Sequence, residues 1–263
     1  MNDDFKDELG IGQPTSVTGG CIHECYRVVV KGKPLFLKCN AAVFDDAFAA
    51  EADGLAGLRS AGYRAPEPQS NGVVAKRAYL LMEFLDLKGA VDFPALGRMI
   101  AQAHRKAGPR FGWRRDNYIG LAAQKNAWRD DWGEFFLECR LRPQASKAGL
   151  ALPSLKLLEG HEPEPSLLHG DLWSGNAGFT SEGPVVFDPA VYYGDREADL
   201  AMTELFGGFP REFYAAYNEA FPLPEGYERR KHLYNLYHLL NHLNLFGSGY
   251  LGQVKATLSL LRL

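Results

Sequence analysis

No apolar run in this sequence approaches the roughly 20 residues that a bilayer-spanning helix needs. The opening MNDDFKDELG is acidic and polar, so it lacks the basic and apolar regions of a signal peptide. Cysteine is scarce: four residues stand at positions 21, 25, 39 and 139. None of them forms a CxxC pair, and no histidine stands at zinc-finger spacing from them. A disulfide scaffold and a structural zinc site are therefore excluded, and a chain of 263 residues buries enough core without either. An excess of positive charge is also missing, since 29 Lys and Arg face 32 Asp and Glu for a net charge of −3. That argues against a broad nucleic-acid surface and leaves room only for a local basic pocket. The expectation is a reducing, cytoplasmic protein with neither membrane nor nucleic acid as partner.

What is present is ordinary globular composition, 46% hydrophobic and 23% charged. The length suits one large domain or two lobes. No internal repeat or low-complexity segment interrupts it. The first third is rich in strand signals. Tyr26 to Val30 is a β-branched run, Lys31-Gly32-Lys33-Pro34 is a turn, and Leu35 to Cys39 is a second apolar run, which reads as a hairpin. Phe44 to Ser60 has helical periodicity, carried by Phe44, Phe48, Leu55 and Leu58, and Gly62 ends it. Gly72 to Ala75 and Ala78 to Phe84 are two further strand candidates. After Leu87 helical patterns dominate, at 96–106, 128–149, 197–206, 210–220, 228–246 and 254–261. The fold class expected is α+β and bilobal. Residues 1–86 form a strand-rich N-lobe with an antiparallel sheet and one main helix, and residues 87–263 a mostly helical C-lobe.

The sharpest segment interrupts the helical part. Leu167-Leu168-His169-Gly170-Asp171-Leu172-Trp173-Ser174-Gly175-Asn176 sets a His, an Asp and an Asn between apolar anchors, and Asp188 follows the apolar run Val185-Val186-Phe187. Phosphoryl transfer needs these groups: one carboxylate to accept or orient a hydroxyl proton, here Asp171, and oxygen ligands for Mg²⁺, here Asn176 and Asp188. The spacing is that of a kinase catalytic loop, H-x-D with Asn five residues after the Asp. Asp, Gly and Asn also favour plain surface turns, so the surrounding sequence matters. Lys38 ends the strand Leu35-Phe36-Leu37, and Glu51 lies in the following helix where it can pair with that lysine. Read singly, both are ordinary surface charges; their order carries the argument. Thr18-Gly19-Gly20-Cys21 is a Gly-rich turn whose N–H groups suit phosphate, with Gly19, Gly20 and Cys21 as nucleotide contacts. A thiol among such N–H groups is expected to be the most reactive of the four cysteines. Leu81-Met82-Glu83-Phe84-Leu85 reads as a hinge, with Glu83 and Leu85 meeting an adenine edge, or else as a buried strand end. Asp195 and Asp199 read as structural, Asp195 as a helix cap.

These residues resemble the fructosamine kinase (ketosamine-3-kinase) family, within the aminoglycoside-phosphotransferase-like, protein-kinase-like superfamily. Three stretches carry the likeness: Gly19-Gly20-Cys21-Ile22-His23-Glu24, His169 to Asn176, and Asp188-Pro189-Ala190-Val191-Tyr192-Tyr193-Gly194-Asp195-Arg196-Glu197-Ala198-Asp199-Leu200. The Trp-Ser-Gly insert within the second is closer to this family than to choline or aminoglycoside kinases. Phe111-Gly112-Trp113, Asn117 and Trp128 are similar to the family's middle section. The resemblance implies a bilobal kinase fold, ATP with Mg²⁺, and phosphorylation of a sugar hydroxyl on a ketosamine, free or on a protein lysine. Carried across by position, Lys38 binds phosphate, Glu51 orients it, Asp171 is the base, and Asn176 and Asp188 hold the metal. Trp173, beside the base, is the expected substrate contact. The chain departs from protein kinases at Asp188-Pro189-Ala190, where they have Asp-Phe-Gly, and at Gly170, where they have arginine. Control through activation-loop phosphorylation is therefore not expected. Two alternatives stay open: a kinase of another acceptor, such as an aminoglycoside, choline or amino alcohol, and a nucleotide-binding protein without catalysis.

Overall fold

The computed structural model describes residues 3–17, 22–152 and 156–261. Gly19, Gly20 and Cys21 lie outside the described residues. A short helix α1 (Asp3–Leu9) and a two-residue strand β1 (Thr15–Ser16) come first, followed by the hairpin β2 (Glu24–Val30) and β3 (Lys33–Ala41). Lys31 and Gly32 both have positive φ, which makes the two-residue turn whose twist matches that of the flanking strands. Helix α2 (Asp45–Ala61) precedes β4 (Pro68–Val74) and β5 (Arg77–Glu83). The five strands form one antiparallel sheet in the order β1-β2-β3-β5-β4. β3 is central, and Lys38 pairs with Cys25 on one side and Leu80 on the other.

The two faces of this sheet are covered differently. Phe48, Leu55 and Leu58 of α2 are fully buried and join the main core. Phe5 of α1 is fully buried against a smaller cluster with Val28, Leu37 and Leu81. α1 has only Phe5 and the partly buried Leu9 as apolar residues in an acidic sequence, too little periodicity to signal a helix.

The remaining elements are α3 (Phe93–His104), the pair β6 (Asn117–Ile119) and β7 (Ala122–Gln124), α4 (Trp132–Phe136) and α5 (Arg142–Ala148). Then come β8 (Ser166–Leu168), the hairpin β9 (Ala177–Thr180) and β10 (Gly183–Val186), β11 (Tyr192–Gly194), α6 (Glu197–Leu205), α7 (Arg211–Ala220), α8 (Tyr227–Phe246) and α9 (Leu251–Leu260). The segment between β5 and α3 contains the lobe boundary we propose at residue 86. The main core continues across it, from Leu55 and Leu58 to Leu96, Ile100, Leu167 and Leu168.

One helix differs from its sequence pattern. Instead of running from 128 to 149, it begins at Trp132, because Asp131 is extended and its carboxylate accepts from the Glu134 N–H at 2.6 Å. Arg129 is held in a bridge to Phe111, its carbonyl accepting from the Phe111 N–H at 3.0 Å. A π-helical turn, Leu137–Leu141, then separates α4 from α5, and Pro143, which has no N–H to donate, follows it. No helix among the described residues is long and apolar enough to cross a membrane.

Candidate active site

The catalytic-loop motif follows the short buried strand β8 and is closed against β11. Gly170 has φ +80°, and an added Cβ would meet the Ala190 carbonyl oxygen at 2.0 Å. Neither the backbone nor the space admits a side chain there. We predict that Gly170→Ala lowers the melting temperature and cuts turnover at least tenfold, more than the ~1 kcal/mol of an ordinary Gly-to-Ala strain, because backbone must shift beside Asp171. Thermal melts and steady-state turnover check this; a variant with wild-type values on both would refute it.

The loop is tied down from behind by a residue far away in sequence. Asp199, in the first turn of α6, accepts the His169 N–H at 2.7 Å with one carboxylate oxygen and the Gly170 N–H at 2.9 Å with the other. His104 Nε2 lies 3.3 Å from the same carboxylate. Burial by itself would raise the Asp199 pKa, but His104 and these N–H groups outweigh it and hold it below the usual carboxylate range. His169 Nε2 donates to the Phe187 carbonyl at 2.9 Å, and its Nδ1 accepts from the Asp171 N–H at 3.3 Å. The imidazole thus fastens the Asp171 turn to the segment that carries Asp188. Asp195 is also held inside the protein: it caps α6 by accepting from Glu197 N–H at 3.0 Å, and it accepts the Tyr234 hydroxyl at 2.6 Å.

Asn176 and Asp188 meet because the β9–β10 hairpin lies between them. The Phe187 N–H donates to the Asn176 carbonyl at 3.0 Å. Asn176 Nδ2 donates to the Asp171 carbonyl at 2.8 Å, and reaches the Asp171 carboxylate at 3.2 Å and the Asp188 carbonyl at 3.5 Å. With the amide nitrogen turned inward, its Oδ1 is the atom left for a ligand. Asp188 has φ +57°, a left-handed conformation that a non-glycine residue adopts at some cost. Its side chain is 45% exposed and forms an ion pair with Lys38.

Lys38 joins the two lobes. Its ammonium donates to Glu51 Oε1 at 2.7 Å and also to Asp188 Oδ1, while the side chain itself is buried. Burial alone would depress this ammonium, but Asp188 and Glu51 more than offset it and raise its pKa, so it stays charged. Asp171 behaves in the opposite way. Desolvation first, and then the charge of Asp188, push its carboxyl up to about 7. A carboxyl poised near neutral pH thus meets Asn176 and feels the charge of Asp188, which in turn pairs with the Lys38 ammonium.

The remaining candidates divide. Trp173 is 40% exposed, so its ring is not core. It lies over Gly175, where an added Cβ would fall 2.2 Å from the indole. The Glu83 carboxylate is held by Arg64 in two hydrogen bonds of 2.6 and 2.8 Å, and the Glu83 N–H donates to the Glu67 carbonyl at 2.9 Å. The Glu83 carboxylate and N–H are therefore engaged within the protein, and the rest of the main chain from Glu83 to Leu85 is the hinge contact we propose. Of the Gly-rich stretch, Ile22 to Glu24 are described, and the Asn40 amide donates to the Ile22 carbonyl at 3.1 Å. His23 packs against Phe48 at 4.8 Å between ring centroids, and burial, then Lys38, lower its pKa to about 4. The three described cysteines are poor thiolates: burial raises Cys25 to about 11 and raises Cys39 and Cys139 as well. Sequence reasoning did not single out Arg64, His104 or Asn40. It read Asp199 as structural but could not see what it holds.

A strand lysine paired with a helix glutamate, facing an Asp–Asn–Asp cluster under a five-stranded sheet, defines a bilobal kinase. The model of the family described as fructosamine kinase matches residues 1–262. The chain belongs to that family. A probable ketoamine kinase of Synechocystis sp. is 44% identical over 264 residues, covering 94% of this chain and 90% of that protein. The chloroplastic protein-ribulosamine 3-kinase of Arabidopsis thaliana is 40% identical, covering 89% of this chain and 78% of that protein. A solved structure assigned as a fructosamine-3-kinase, from Haemophilus somnus, superposes with a TM-score of 0.87 at 31% identity, covering 98% of this chain and 95% of that one. A thermostable mutant of aminoglycoside phosphotransferase APH(4)-Ia shares the fold at 16% identity, with a TM-score of 0.62 over 97% of this chain and 96% of that one.

Proposed function

We propose that this kinase transfers the γ-phosphoryl group of ATP to a sugar hydroxyl of a ketosamine, an amine carrying a sugar-derived ketose. The observation that carries the reading is the convergence of Asp171, Asn176 and Asp188 opposite the Lys38–Glu51 pair. The names of the relatives point to the acceptor: ketoamine kinase and protein-ribulosamine 3-kinase.

In the proposed reaction the acceptor oxygen attacks the γ-phosphorus and the bond to the bridging oxygen of ADP breaks. The hydroxyl proton passes to Asp171, whose backbone N–H is held by His169 and whose carboxylate meets the Asn176 amide. Lys38 holds a phosphate oxygen, and Glu51 keeps the ammonium in place when Asp188 turns from Lys38 to other partners. Asn176 Oδ1 and the Asp188 carboxylate offer only oxygen, which fits a hard cation such as Mg²⁺. When bound there, Mg²⁺ neutralises triphosphate charge. Trp173 offers an exposed ring face on which a sugar can stack, next to the base. Most of the rate would come from positioning and charge stabilisation.

Acceptor choice tests this reading. ADP formation should be fastest with fructose-, ribose- or erythrulose-modified amines. Equal or faster turnover with an aminoglycoside or an amino alcohol would overturn it.

The Asp171 environment gives a pH prediction with a definite sign. The ionised carboxylate is the active form, and its pKa in the nucleotide-free protein is near 7. That form is lost as the pH falls through about 7 and is complete above it. Carboxyl-labelled NMR of the nucleotide-free protein should show Asp171 titrating there. In Asp188→Asn the titration should move to lower pH, because a like charge has gone. An unchanged or upward shift would contradict the proposed coupling.

A further inference from the structure

The C-lobe carries an aromatic cluster that the phosphoryl-transfer groups do not use. His242 in α8 packs against Phe206 just beyond α6 at 4.9 Å between ring centroids, against Phe246 at 5.4 Å and against Tyr250 at 5.1 Å. Phe246 and Tyr250 also meet, at 6.3 Å. Phe206 is 38% exposed and Phe246 62%, large values for rings that are already in contact. Scattered exposed rings need no explanation, but three gathered round one imidazole do.

Chain neighbours of the cluster approach two segments of the candidate site. Gly208, two residues after Phe206, approaches the catalytic loop so closely that an added Cβ would lie 2.5 Å from the Ser174 Cβ. Ser174 follows Trp173, the exposed ring beside Asp171. On the other side, a Cβ at Gly120 would touch Leu245 Cδ1 at 3.4 Å and Ile22 Cδ1 at 3.8 Å. Leu245 adjoins Phe246, and Ile22 directly follows the Gly-rich stretch. The stretch that carries Phe206 therefore approaches Ser174, and the turn of α8 that carries Phe246 lies, through Leu245, near Gly120.

The imidazole in its midst has a defined polarity. His242 Nδ1 donates to the His238 carbonyl at 2.8 Å, and its Nε2 has no hydrogen-bond partner among the described residues. Burial lowers its pKa, so at neutral pH it is uncharged and Nε2 is an acceptor. A neutral acceptor ringed by aromatic faces suits an N–H-bearing cation: the rings attract the charge and the nitrogen takes a proton donor. A ketosamine carries such a group, a secondary ammonium joined to the sugar and to the rest of the amine.

We propose that Phe206, His242, Phe246 and Tyr250 form the subsite for the amine side of the acceptor, which places the ammonium on His242 and the chain beyond it along Phe246. The proposal rests on the ketosamine reading and adds which residues read the amine. It gives the enzyme a means to prefer a glycated amine over a neutral sugar of the same shape.

The test uses His242→Leu and Phe246→Ala with two acceptors: a fructose-modified alkylamine and its analogue with an ether oxygen in place of the nitrogen. Phe246 is mostly exposed, so its truncation leaves the fold intact whatever happens at His242. In each variant, KM for the ketosamine should rise about tenfold, the size of effect expected from losing one cation–aromatic or charged hydrogen-bond contact, with a smaller change in kcat and none in KM for ATP. The preference for the amine over the ether should shrink in His242→Leu. If the wild type accepts ketosamines but both variants keep its KM and its amine preference, the subsite is refuted and the function stands. If the wild type phosphorylates no ketosamine, the function reading fails, and this proposal fails with it.

Discussion

Asp171→Asn should lower kcat by about 10²- to 10⁴-fold, the range for losing a positioned general base, while ATP affinity changes little. Asparagine keeps the size of the side chain and can still meet Asn176, so the loop should keep its shape. What it loses is the basic oxygen. The groups proposed to hold the nucleotide are elsewhere: Lys38 bonds to Glu51 and Asp188 and not to Asp171. The fold should also survive, because the loop is held through backbone N–H groups of His169 and Gly170 on Asp199, which the substitution leaves untouched. Turnover assays with ATP titration separate the two effects. Near-normal turnover would remove Asp171 from the chemistry, and a large loss of ATP affinity would mean that it serves the nucleotide instead.

The second large effect concerns the metal. Asp188→Ala should weaken Mg²⁺-dependent nucleotide binding by about a hundredfold or more, and Asn176→Ala by about tenfold, since only the carboxylate brings charge to a hard cation. Both side chains are close to Asp171, yet their surroundings differ. Asn176 is buried and ties the loop together through Nδ2, while Asp188 is half-exposed and pairs with Lys38. Without Asp188, Lys38 still has Glu51, so the N-lobe keeps its buried ion pair. Calorimetry with ATP, with and without Mg²⁺, reads the difference. Equal losses in the two variants, or losses that persist without Mg²⁺, would mean that the metal ligands are misassigned.

How much of this was legible in the sequence depended on distance along the chain. The catalytic loop is contiguous, so His169, Asp171 and Asn176 could be read as a set, and Asp188 follows after one hairpin. Lys38 and Glu51 are thirteen residues apart, across a strand and a helix whose periodicities both showed. Asp199 was different. Its carboxylate holds two N–H groups some thirty residues upstream, and no local pattern marks that contact. Arg64 is in a connector, and only the sheet brings Glu83 to it, so no local pattern showed that its carboxylate is held by an arginine. The early start predicted at 128 overlooked Asp131, whose carboxylate caps α4 and fixes its first residue at Trp132. The aromatic cluster joins Phe206 to residues 242–250, a grouping that exists only once α6 and α8 pack side by side.

The most direct measurement of the central claim is ³¹P NMR of a reaction containing this protein, ATP, Mg²⁺ and a fructose-modified amine, run beside Asp171→Asn. The account predicts a new phosphate-ester signal on the sugar, formed one-for-one with ADP and lost in the variant. ADP without that ester, or an ester that forms equally well in Asp171→Asn, would contradict it.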